Sequence, residues 1–152
     1  MRQAELLKFV ADWCSSRTGK TYKVDYAPMM NVSEQEVRQY RAVSPGAMRK
    51  ETPNRGALPV TYQEVKIQIF DTFPSSDTDA IVPAIQNELE DILEAMMSRA
   101  NPVRFTSEDG KVDGTVKAGE CAPFQDSGVI LSELEAHHPV CLGCVNVMFM
   151  VG

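Results

Sequence analysis

Four residues near the end of the chain, His137, His138, Cys141 and Cys144, are of the types that hold zinc, because two imidazoles and two thiolates make a sound ligand set. Their spacing argues against it. Structural zinc sites draw ligand pairs from two separated segments, whereas these four fall within eight residues that run into an apolar stretch. On a regular strand, positions 141 and 144 point to opposite faces, and only a bulge at Gly143 could re-aim them. Buried, inert cysteines are the expectation. His138 and Cys141 could also be drawn as base and nucleophile, but nearness in sequence is their sole support. Thr18-Gly19-Lys20-Thr21 has the ending of a phosphate-binding loop without its beginning: Cys14 stands where the motif needs its first glycine. A helix also precedes and a strand follows, the reverse of the required order. No Gly-x-Ser-x-Gly elbow occurs. No catalytic residue, cofactor site or metal ligand is therefore assigned, and the chain is expected to work without a cofactor and not as an enzyme.

The elements that would have to position any such chemistry can be read from periodicity. Leu6, Phe9, Val10 and Trp13 fall at i, i+3, i+4 and i+7 and predict a helix from about Gln3 to Ser16, ended by Thr18-Gly19. Tyr22, Val24 and Tyr26 alternate with Lys23 and Asp25 as a half-buried strand does. A weaker alternation from Glu36 to Val43 predicts a second strand, with Val37 and Val43 on one side. Val65, Ile67 and Ile69, spaced by Glu64, Lys66 and Gln68, mark a clear strand over Val60 to Phe70. A polar turn from Asp71 to Asp79 follows, and then Ile81, Ile85, Leu89, Ile92, Leu93 and Met96 recur at helical spacing. Asp77 and Asp79 suit the positive end of that helix, and Pro83 is tolerated in its first turns. Val103 to Thr106 reads as a strand, Glu108-Asp109-Gly110-Lys111 as a turn, and the stretch through Gly119 as an exposed loop. A short helical turn is expected over Val129 to Glu135, and the chain closes on a strand from Val140 to Val151. This order implies an α+β fold: a mixed or mostly antiparallel sheet with two main helices packed on one face, in a single domain spanning residues 1–152.

Composition narrows the function classes. With 43% hydrophobic and 24% charged residues the chain can bury one core, yet no apolar stretch approaches the roughly 20 residues that cross a bilayer. Glu5, Lys8 and Asp12 interrupt any secretory apolar region, so a cytoplasmic protein with reduced thiols is expected. The net charge of −6 argues against a grip on nucleic acid, which needs a basic stripe. The charge is also uneven: residues 1–66 hold eleven Lys/Arg against seven Asp/Glu, a net of +4, and residues 67–152 hold four against fourteen, a net of −10. Such polarity suits contacts between copies or with partners.

Ser44 to Pro59 collects Pro45, Gly46, Pro53, Gly56 and Pro59 with Arg49, Lys50 and Arg55, and is expected to be a long basic loop. Loops longer than about 12 residues in compact domains are usually functional. Together with Ser107 to Gly119 it supplies the expected contact residues, Arg49, Lys50, Arg55, Lys111 and Lys117. The alternative function is a small zinc-binding or enzymatic protein using His137 to Cys144.

The order of features resembles the tail-terminator proteins of long-tailed bacteriophages, the lambda type, and more loosely the neighbouring neck and tail-completion proteins. The likeness rests on the N-terminal helix, the Tyr-x-Val-x-Tyr strand with Pro28-Met29, and the strand leading to Val43-Ser44-Pro45-Gly46. It continues through the Arg-bearing loop, Tyr62 to Phe70, the amphipathic helix, and the terminal apolar strand after Leu131-x-x-Leu134. The resemblance implies a homo-oligomer, a hexameric ring, that caps the finished tail tube and stops its growth. The implied partners are the tail tube protein, the sheath where the tail contracts, and the head-tail connector or stopper. DNA would pass through the ring without sequence-specific binding, no membrane would be involved, and the chain would assemble in the host cytoplasm and end in the virion.

Overall fold

The computed structural model describes residues 2–28, 39–52, 56, 59–72, 78–122, 129–134 and 138–152; at 72, 78, 129–134 and 138–142 it describes the backbone alone. The described elements are α1 (Gln3–Thr18), β1 (Lys23–Val24), β2 (Tyr40–Glu51), β3 (Val60–Thr72), α2 (Thr78–Met96), β4 (Arg104–Thr106), β5 (Asp113–Val116), a 3-10 turn (Ala118–Glu120), β6 (Val129–Leu134) and β7 (His138–Val151). The strands form one curled sheet in the order β1-β2-β3-β7-β5-β4, with β6 paired to β7 off that path. β1 runs parallel to β2 and every other pairing is antiparallel. The fold is α+β.

Both helices pack on the same face of the sheet. From α1 come Leu6, Leu7, Val10 and Cys14, and from α2 Leu89, Ile92, Leu93 and Met96. They meet Val43, Val65, Ile67, Ile69, Val145, Val147, Phe149 and Val151, every second residue of β2, β3 and β7. Period two in the strands and about 3.6 in the helices thus converge on one dry core. Gly19 closes α1 in the left-handed conformation at φ 72°, its amide donating to the Ser15 carbonyl at 2.9 Å.

Several sequence expectations need correction. Ser44 to Pro59 is not a loop over its first half, because β2 continues through Pro45 and Gly46 to Glu51, paired with β3 from Tyr40↔Phe70 to Glu51↔Val60. A register shift between Pro45 and Met48 absorbs the irregularity. β1 covers only Ala42 and Val43, so among the described residues the far side of β2 is open beyond Val43, where a proline costs no ladder bond. The buried Gln63 donates to the carbonyls of Glu64 at 2.7 Å and Gly46 at 3.3 Å, and accepts from Gln3 of α1 at 3.0 Å, tying the irregularity to the helix.

The stretch through Gly119 is not simply an exposed loop. The turn over Glu108 to Lys111 is present, with Gly110 at φ 71°, but Asp113–Val116 is a strand that pairs both β4 and the end of β7. Gly114 permits that approach, since a Cβ there would lie 3.2 Å from Val151 Cγ2 and 3.4 Å from Phe105 Cδ1. Val129 to Leu134 is strand rather than helical turn, because it fills the edge of β7 that β5 leaves open. The strand expected over Tyr22 to Tyr26 shrinks to Lys23–Val24, with Tyr22 buried and Tyr26 59% exposed. Asp71 and Thr72 still belong to β3. Residues 29–38, and with them the expected start of β2 at Glu36 and the side assigned to Val37, lie outside the described residues, as do Pro53, Arg55, Asp77 and Glu135.

Candidate interaction site

The open half of β2 is where the expected contact residues can be located. From Ala47 to Glu51 every residue is exposed, and Met48 presents 52% of its surface. Arg49 stands opposite Tyr62 in the β2–β3 register and lays its guanidinium over the ring at 4.3 Å from the centroid. Lys117, from the segment after β5, approaches the same ring at 4.7 Å and its hydroxyl at 3.4 Å. Carboxylates complete the group: Arg49 donates to Glu51 at 2.8 Å and to Glu120 at 2.5 Å, and Lys117 lies 3.4 Å from Glu120. Two of the five expected residues therefore meet on one tyrosine.

The electrostatics follow from that geometry. The hydrogen bond from Arg49 holds the Glu120 carboxyl below its ordinary value, and the Tyr62 hydroxyl and Glu120 raise Lys117. With two cations and two carboxylates the cluster is neutral in sum, so it offers stacking and exchangeable ion pairs to a protein surface rather than a cradle for a free anion. Lys50 is exposed beside it on β2, Lys111 lies apart in the β4–β5 turn, and Arg55 is outside the described residues. Tyr62 could not be singled out in the sequence because its partners Arg49 and Lys117 come from β2 and from the segment after β5. It fell within the expected strand Val60 to Phe70, and nothing local announced the cations.

A second charged group lies at the helix-packed face. Glu88 of α2 accepts from Arg41 Nε at 2.6 Å and Nη2 at 2.9 Å, from Lys20 at 2.8 Å and from the Tyr22 hydroxyl. Burial works against its charge, but the hydrogen bonds from Arg41, Lys20 and Tyr22 outweigh that and hold the carboxyl at about 2. Arg41 is only 8% exposed and also donates to the carbonyl of Gln39, which takes the left-handed conformation at φ 50°. This bidentate pair clamps α2 to β2. Lys20, in the turn after α1, gives its ammonium to the same carboxylate.

The His137 to Cys144 segment does not gather. β7 pairs β3 without a register shift from Val140↔Thr72 to Val151↔Thr61, so no bulge at Gly143 re-aims its neighbours and positions 141 and 144 stay on opposite faces. His138 is six residues from Cys144, about 20 Å along a strand, and His137 is outside the described residues. Among the described residues no group of three metal-ligating side chains occurs. Burial pushes the thiols of Cys14, Cys121 and Cys144 above their ordinary value, the reverse of what activates a nucleophile.

No protein-family model matches this chain, and no curated protein does. The functional reading therefore rests on the residues and their arrangement.

Proposed function

We propose that this chain is a structural subunit of a phage tail, a tail terminator that closes into a ring of six, ends the tail tube and presents a surface to the head-tail connector. The role and the number six come from the resemblance of the element order to tail terminators, and the structural observation that supports a contact role is the outer half of β2. Among the described residues no strand pairs its far side beyond Val43, and Met48, Arg49 and Lys50 are exposed there beside the Arg49–Tyr62–Lys117 stack. Exposed edges are normally blunted or covered, and one that carries a large apolar side chain suits a partner that covers it. The charge polarity of the chain, +4 over residues 1–66 and −10 beyond, supports heterologous contacts, which make rings when the rotation closes. An acidic inner wall would let DNA slide past by denying it phosphate contacts.

The tail tube protein, the sheath of a contractile tail and the connector or stopper are the partners this reading assigns. The test is to remove the protein during phage assembly and image the tails by electron microscopy. Overlong or headless tails are expected. Tails of uniform, normal length that still join heads would end the terminator reading.

A further inference from the structure

The seam between α1 and β4 holds two adjoining hollows, one of about 670 Å³ towards the end of α1 and one of about 200 Å³ towards its start. Phe9 lines both and packs on Phe105 of β4 with ring centroids 5.7 Å apart. Phe9 and Trp13 are only half-buried and give the larger hollow an aromatic floor. Its charged groups are Arg17 and Arg104, and among the described residues neither guanidinium has an ion-pair or hydrogen-bond partner. The smaller hollow has the opposite sign. There Asp12 takes up Lys8 at 2.8 Å, and Glu5 accepts from the Glu108 amide at 2.9 Å and pairs with Arg2 at 3.6 Å. The Glu108 carboxylate is left without a partner among the described residues. The seam is thus a dipolar groove, basic at one end, acidic at the other and apolar between.

One wall of this groove is a strand edge. β4 ends the strand order, and among the described residues no strand pairs its outer side. The Ser107 amide donates to the Val112 carbonyl at 2.8 Å and the Gly152 amide to the Asp113 carbonyl at 3.1 Å, which fixes the phase of both ladders. Phe105 therefore turns its backbone to Gly114 of β5, and the N–H and C=O of Arg104 and Thr106 face outward. Both residues are exposed and both line the groove. Such an edge pairs with an extended chain, whose main-chain hydrogen bonds supply affinity and whose alternate side chains supply specificity. From Glu5 to Arg17 the helix rises about 18 Å, a length that five or six extended residues span.

We propose that the α1–β4 groove receives an extended segment of a partner protein, which adds to the outer edge of β4 antiparallel, the more stable pairing. Its basic residue lies towards Glu108, its large apolar residue on Phe9 and Trp13, and its acidic residue between Arg17 and Arg104. The three fall at i, i+2 and i+4, on one face of the added strand. Charge complementarity selects this occupant. A free anion would leave the acidic end unmatched, and a nucleic-acid strand leaving the arginines would run onto carboxylates that repel its phosphates. The groove is remote in the strand order from the open half of β2, so this contact is additional to the ring reading and does not depend on it.

Trp13 is the only tryptophan and lines the groove, so its fluorescence reports occupancy. Two peptides blocked at both ends, Ser-Gly-Lys-Thr-Phe-Thr-Asp-Gly-Ser and the same sequence with Lys and Asp exchanged, are titrated into the full chain. The first is expected to move the emission maximum to shorter wavelength and to bind about tenfold more tightly than the second. The paired substitution Arg17→Glu and Arg104→Glu should weaken the first peptide at least about tenfold. A peptide with Lys at both charged positions should prefer that variant to the parent. Because both arginines are exposed, circular dichroism of the variant should match the parent. No response to either peptide at millimolar concentration, equal affinity for the two, or binding of oligothymidylate in their place would overturn the inference. A shift of emission that follows the concentration of the chain alone, in step with a rise in mass by sedimentation velocity, would seat a second copy in the groove and overturn it too.

Discussion

Along β3, Val65, Ile67 and Ile69 turn to the helices and are wholly buried, while Tyr62, Glu64, Lys66 and Gln68 alternate with them on the face that neither α1 nor α2 covers. β7 repeats the division, with Val145, Val147 and Phe149 inward and Cys144, Asn146, Met148 and Met150 outward. Apart from Arg41, Gln63 and Asp71, the inner face is apolar and its residues are alike in kind. The outer face is built of specific pairs: Ser44 donating to Gln68 at 3.1 Å, Arg49 and Lys117 on Tyr62, Gly46 so close to Glu64 that a Cβ would lie 2.3 Å from its Oε1. One face is the dry core, and the other carries the polar and charged pairs.

That contrast can be broken most severely from the inside. Phe149→Ala empties a fully buried position and is expected to cost about 4 kcal/mol in urea unfolding. A loss under about 1 kcal/mol would mean that the inner face is loosely packed. Next comes the clamp between helix and sheet. Glu88→Gln strands the nearly buried Arg41 charge and is expected to cost about 3 kcal/mol. The pH dependence has a definite sign, because the folded carboxyl at about 2 lies below its ordinary 4.5. Its stabilisation is full above 4.5 and is lost as pH falls through about 2. The parent should therefore lose more stability than Glu88→Gln between those pH values, and equal slopes would remove Glu88 from the account.

On the outer face the expected effects on stability shrink. Tyr62→Ala removes a 7%-exposed ring and should cost about 2 kcal/mol, less than the inner aromatic because part of its contact is with mobile charged side chains. Arg49→Ala should leave the melting temperature unchanged while weakening the association proposed here with a tail tube or connector, measured by co-sedimentation. If Arg49→Ala unfolds the protein but spares association, the division of labour between the faces is reversed.

Local sequence encodes burial more readily than pairing. The stripe of Leu6, Val10 and Leu89, Ile92, Met96, the alternation through Val65 to Ile69, the stop at Gly19 and the turn at Gly110 could all be read along the chain, because each depends on neighbours within one or two turns. β2 could not be followed past Pro45-Gly46, since whether a proline breaks a strand depends on which side of it is already paired, and that is set by the reach of β1. The strands at Asp113–Val116 and Val129–Leu134 form for a similar reason: the two halves of a long terminal strand offer open edges, and these short segments fill them.

The candidate surface divides in the same way. Residue types pointed to Arg49 and Lys117 as expected contact residues, and parity along a strand argued against a shared site at His137 to Cys144. Only the tertiary structure brought Arg49 to Glu120 across 71 residues and Arg41 to Glu88 across 47. A charged side chain carries no periodic trace of a partner so far away, and its meaning is decided when the sheet curls and places the two within a hydrogen bond of each other.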